Sequence, residues 1–116
     1  MKRVIIILSV LLLHIASIIA ANRFVLVIDA GHGGHDAGAV GKYSKEKNIN
    51  LAVALAFGRY VEQNCSDVKV VYTRKTDIFV PLHERANIAN RNHADVFISI
   101  HTNALPGTRI ARGLET

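Results

Sequence analysis

A continuous apolar run, Phe24-Val-Leu-Val-Ile, ends on Asp29, and a glycine-rich stretch follows at once. A run that is apolar at every position, without alternation, reads as a strand covered on both faces, the kind found in parallel sheets. Val68–Thr73 and Asp95–Ile100 read as a second and a third strand. Between the first two runs, Ile49, Ala52, Val53, Ala56, Phe57, Tyr60 and Val61 recur at three- and four-residue spacing, which predicts a helix from about Lys45 to Asn64. Leu51 and Leu55 widen its apolar face, and Ser44 is the expected N-cap. Pro81 suits the first turn of a second helix reaching about His93, with Leu82, Ala86, Ile88 and Ala89 on its apolar face. The order β-α-β-α-β predicts an α/β fold with a parallel sheet and right-handed crossovers. Three strands and two helices make a thin domain, and Gly113-Leu-Glu-Thr116 reads as the start of another element. The expectation is a chain truncated before the last strands and helices of its fold.

The first 21 residues are a different kind of sequence. Met1-Lys2-Arg3 is basic, Val4 to Ile19 is apolar but for Ser9, His14 and Ser17, and Ala20-Ala21 supplies small residues before Asn22. Basic start, apolar stretch and small-residue end are the order of a secretory signal peptide. The alternative is an uncleaved membrane anchor, since the apolar stretch approaches the length a spanning helix needs. On either reading residues 22–116 are exported, to the periplasm or to the outside of the cell, with no membrane contact once a signal is cleaved. Setting Lys2 and Arg3 aside lowers the net charge from +5 to +3. With no polybasic tail and no aromatic-basic interleaving, nucleic acid is not an expected partner. The single cysteine, Cys65, excludes an internal disulfide and any CxxC metal site; at a helix it is expected as a small buried hydrophobe.

In open α/β sheets, functional groups gather beyond the carboxyl ends of the strands. His32 lies three residues past the first run, His101 directly follows the third, and Glu46 opens the helix that starts at the same rim. Two histidines and a glutamate are a common catalytic zinc set with a fourth position left for water. Taken singly, each is more often a solvated or capping residue. The set is not HExxH, and the glycine loop matches neither a P-loop nor a dinucleotide fingerprint.

Larger blocks of sequence go further. Asp29-Ala-Gly-His-Gly-Gly-His-Asp36 with Gly38-Ala39 and Gly41 resembles the opening motif of the zinc-dependent N-acetylmuramoyl-L-alanine amidases. Glu46-Lys47 with Asn50-Leu51 resembles the second motif. Thr73-Arg74, Asp77, Leu82, Arg85 and Ala89-Asn90 resemble the middle segment, and Ala94-Asp95 through Ser99-Ile100-His101-Thr102-Asn103-Ala104 the third motif. The resemblance runs in order from about Phe24 to Thr116. It implies one Zn²⁺ held by His32, Glu46 and His101, and peptidoglycan as the substrate. The bond cut would be the amide between N-acetylmuramic acid and the L-alanine of the stem peptide, in cell-wall turnover or daughter-cell separation. The chemistry implied is metal-assisted hydrolysis with a second glutamate as general base. That glutamate is expected beyond Thr116, and Glu115 does not match it, so no catalytic base is expected within these residues. The competing expectation is a wall-binding or scaffold protein that keeps the zinc site without hydrolysis.

Other residues carry smaller expectations. Asp29 either orients a ligand histidine or is a strand-end turn residue. Asp36 shapes its own loop. Asn103 either touches substrate or belongs to a turn. Arg85 and Asp77 are expected in a structural ion pair or cap, and Arg74 either meets an acidic substrate or braces a loop. His35, His83 and His93 are expected as solvated bystanders, and the protein as a monomer.

Overall fold

The computed structural model describes Met1 and residues 23–104. The expected signal segment, Glu115 and the element expected at Gly113–Thr116 lie outside the described residues. The elements are β1 (Phe24–Ala30), α1 (Glu46–Asn64), β2 (Val68–Tyr72), α2 (Leu82–Arg91) and β3 (Val96–Ile100). The three strands form one parallel sheet in the order β2-β1-β3. The most apolar run therefore becomes the central strand, the position that needs apolar side chains on both faces.

Alternation along β1 divides the core in two. Leu26, Ile28 and Ala30 pack with Ala54 and Val61 of α1, whereas Val27 packs with Val80 and with Ile88 of α2. The two helices thus cover opposite faces. The connection from β1 to β2 moves one way across the sheet and that from β2 to β3 moves the other, so right-handed crossovers require this placement. The β-α-β-α-β order expected from the sequence is the order found. Among the described residues no helix is long and apolar enough to cross a membrane.

The helix ends and faces differ from expectation. Lys45, not Ser44, occupies the N-cap of α1, and no side chain bonds the first-turn N–H groups there. Instead the loop does so, with Ala39 O accepting from the N–H of Glu46 and Ala37 O from that of Lys47. Pro81 stands at the cap before α2, not within its first turn. The buried stripe of α1 is Glu46, Asn50, Ala54, Gly58 and Val61, while Ile49, Val53 and Tyr60 of the expected apolar face are exposed. Small residues win this stripe because they let the helix approach the sheet: a Cβ on Gly58 would run into the Tyr72 ring. On α2 the buried residues are Arg85 and Ile88, and Leu82 is exposed. Cys65, at the C-cap of α1, is partly buried against the Ile28 side of the core.

Candidate metal centre

The three residues singled out at the strand-end rim converge. One ligand atom from each of His32, Glu46 and His101 can be chosen so that all lie within 4.8 Å of one another. Glu46 Oε2 is 3.3 Å from His32 Nε2, and Glu46 Oε1 is 3.1 Å from His101 Nδ1. Ligand atoms about 2.0–2.1 Å from a tetrahedral zinc lie about 3.3 Å apart along each edge. The two contacts fall on different oxygens of Glu46, each near that spacing, and the donor set suits zinc. The imidazoles meet edge to face, with ring centroids 4.9 Å apart.

Glycines make the convergence possible. A Cβ on Gly31 would overlap the His101 ring, and one on Gly38 would meet both the His32 ring and the Glu46 carboxylate. His32 itself takes a left-handed backbone conformation, φ 62°, which is unusual for a residue with a side chain. Its orientation comes from Asp36, whose carboxylate accepts from Nδ1 at 2.9 Å. Asp36 is held below its ordinary value by that bond and by the N–H of Gly38. An ionised carboxylate can only accept, so Nδ1 is the nitrogen that donates to Asp36, and Nε2 is the ring nitrogen that faces Glu46.

Asp29 does not orient a histidine. Period-two alternation turns its side chain to the α2 face, where it accepts from Thr73 Oγ1 (2.6 Å), Ser99 Oγ (2.7 Å) and Arg85 Nη1 (2.7 Å). The carboxylate at the end of the central strand ties all three strands to α2. Asp36 takes the role considered for Asp29, because the bridge between Gly33 and Asp36 curls the loop back onto the histidine.

Glu46 sits at the bottom of the site, only 4% exposed. Burial would raise its pKa, but the N–H of Ala39, the Asn50 amide, the N–H of Thr102 and the His101 ring together outweigh burial and lower it to about 2. It is therefore ionised, as a metal ligand must be. Asn50 also donates to Gly31 O and accepts from Thr102 Oγ1, joining the loops that carry the two histidines. Asn50 carried no expectation of its own; the available signal was its position four residues past Glu46, on the same helical face.

The remaining candidates lie around this centre. Arg74 is buried and donates to Ala30 O, Gly31 O, Lys47 O and Thr76 O, bracing the glycine loop. Asp77 and Arg85 each form an ion pair, though not with each other: Asp77 pairs with Lys47 at 2.6 Å and Arg85 with Asp29. His35 is exposed and stacks on Phe79. His83, His93 and Asn103 are exposed. Beside the centre, a cleft of about 720 Å³ opens onto His32 and His101, walled by Phe79, Leu82, Ala86, Ala89 and Phe97.

These carboxyls set the acid limit of the fold. Asp29 is likewise lowered from its ordinary 3.8, because its three hydrogen-bond donors and the Arg85 charge outweigh burial. Groups that release protons more readily when folded stabilise fully above their unfolded values, and that contribution is lost as pH falls toward the folded ones. The metal-free chain should keep its melting temperature down to about pH 4.5 and lose it progressively toward pH 2. Melting curves across that interval check this; a midpoint unchanged at pH 3 would contradict it.

Comparison with known proteins identifies the family. Residues 26–116 match the family Amidase_3, N-acetylmuramoyl-L-alanine amidase. The N-acetylmuramoyl-L-alanine amidase AmiC of Escherichia coli O6:H1 is 44% identical over 81 residues, 69% of this chain and 19% of AmiC. The catalytic domain of CwlV, an N-acetylmuramoyl-L-alanine amidase from Bacillus (Paenibacillus) polymyxa var. colistinus, superposes with a TM-score of 0.69 at 44% identity. That match covers 72% of this chain and 48% of CwlV's. The N-acetylmuramoyl-L-alanine amidase from Clostridium difficile 630 gives 0.73 at 38% identity, over 79% of this chain and 50% of that one. The chain thus spans about half of these solved amidase chains and a fifth of AmiC. With the parallel sheet and the glycine loop alike in place, the chain belongs to the Amidase_3 family of N-acetylmuramoyl-L-alanine amidases.

Proposed function

We propose that residues 22–116 are the N-terminal part of a zinc amidase catalytic domain, and that the whole protein cleaves peptidoglycan. The bond is the amide between N-acetylmuramic acid and L-alanine, and the setting is wall turnover or daughter-cell separation after export behind residues 1–21. His32, Glu46 and His101 would hold one Zn²⁺. The observation that supports this most directly is the approach of three donors from three separate segments at one sheet rim. When bound, zinc supplies a Lewis acid that lowers the pKa of water and polarises the scissile carbonyl. The chain's own residues prepare for it: Asp36 orients the His32 ring, Asn50 and the loop N–H groups keep Glu46 ionised, and an apolar cleft wall borders the site on one side.

A second reading, a wall-binding protein that keeps the centre without hydrolysis, draws on the cleft lining, which among the described residues contains no glutamate. Two measurements test the proposal. The chain should bind about one zinc, and Glu46→Gln should weaken binding by at least 10-fold, the lower end for disturbed metal sites. Release of L-alanyl peptides from purified peptidoglycan by the whole protein separates the two readings: zinc binding with no release supports the second.

A further inference from the structure

We propose that Arg85 is a positioning residue of the metal centre, acting through the main chain of His32. The inference rests on the reading of His32 as a metal ligand. Arg85 lies in α2, outside the loop that carries the histidine, yet its guanidinium is buried beneath that loop, its side chain 6% exposed. Every arm of the fork is used. Nε donates to Val80 O at 2.9 Å, Nη1 to Asp29 Oδ1 and Ala30 O at 2.7 Å each, and Nη2 to His32 O at 2.9 Å. The last bond reaches a residue whose left-handed backbone costs energy for any side chain beyond glycine. Such a conformation persists only where its surroundings over-determine it.

His32 is thus gripped from two sides. Asp36 sets the rotation of the ring at Nδ1, and Arg85 sets the peptide plane from which the ring projects. Both are needed to aim Nε2 at the point Glu46 faces, because ring rotation alone cannot correct a displaced Cα. Ion pairing with Asp29 does not by itself account for the arrangement. A lysine could satisfy that carboxylate, but a point charge cannot also serve carbonyls lying in divergent directions, as the planar fork does. The guanidinium also connects the strand-end network of Asp29, Thr73 and Ser99 to the ligand loop. α2 thereby reaches the centre without placing a side chain in it.

The test is metal affinity per folded molecule, measured in the full chain with Zn²⁺ against a chromophoric chelator. Co²⁺ serves as a second probe, its visible bands reporting ligand geometry. Arg85→Lys keeps the charge facing Asp29 and removes the bond to His32 O. The expected result is a 10- to 100-fold loss of zinc affinity, with weakened and shifted Co²⁺ bands. Asp77→Ala is the control, since it frees the outer side of the same loop at Gly34 and Lys47 without touching His32, and it should leave affinity within about 3-fold. Should Arg85→Lys fail to fold, the pair Asp29→Asn with Arg85→Gln removes both buried charges together and should show the same loss. Unchanged affinity and spectrum in the folded Arg85 variant would overturn the proposal, as would an equal loss in Asp77→Ala. Zinc binding by the unmodified chain keeps those failures distinct from failure of the site reading: if the unmodified chain binds no zinc, both fall.

Discussion

Asp29→Ala is expected to remove about 3–5 kcal/mol of stability, the usual effect of breaking a buried ion pair from one side. Both partners are nearly inaccessible, with side-chain exposures of 6% for Arg85 and 4% for Asp29. The alanine would strand the guanidinium charge beside the core, and Thr73 and Ser99 would each lose an acceptor. Small domains hold only about 5–15 kcal/mol in total, so a loss of this size removes a large share of it. Asp29→Asn should lose less, because an amide oxygen still accepts one bond. Urea denaturation followed by helical circular dichroism measures both. A loss under about 1 kcal/mol for the alanine variant, the range of exposed pairs, would mean that water reaches the pair.

Gly38→Ala should damage the centre while leaving most of the fold. Gly38 has φ 64°, so alanine there costs about 1–2 kcal/mol of backbone strain. The added methyl would also point at the His32 ring and at Glu46 Oε2. These groups cannot give way freely, since Asp36 holds one and the Ala39 N–H holds the other. The expected outcome is a drop of at least 10-fold in zinc affinity with a far smaller drop in stability than for Asp29→Ala. Paired zinc titrations and melting curves decide it. Unimpaired zinc binding would show that the loop relaxes around the methyl and that the glycine is not what shapes the site.

The strands were readable because their cause is local: three apolar runs long enough to cross a covered sheet, each ending in polar or glycine-rich sequence. The convergence of His32, Glu46 and His101 followed from topology, since parallel strands deliver their carboxyl ends to one rim. The buried face of α1 was not readable from large apolar residues. Its stripe begins with Glu46 and Asn50, which face the centre, and continues through Ala54 and Gly58, which count for little in any apolar tally. Leu82 failed for a related reason, because Arg85 takes the inward position on α2 to meet Asp29. That Asp36 and not Asp29 orients His32 depended on which face of β1 Asp29 occupies and on how tightly residues 33–36 turn. Spacing from His32 carries neither fact.

The stripe of α1 has a further consequence. Residues facing the histidines and residues facing the sheet lie on one line along a 19-residue helix, Glu46 and Asn50 at one end, Gly58 and Val61 toward the other. A helix turns about 100° per residue. One residue inserted or deleted between Asn50 and Gly58 would therefore swing either the carboxylate away from the histidines or Gly58 away from Tyr72. No rotation of the cylinder could restore both. The helix behaves as a key with teeth at both ends, about three turns apart and fixed in phase, so drift in length is confined to the loops.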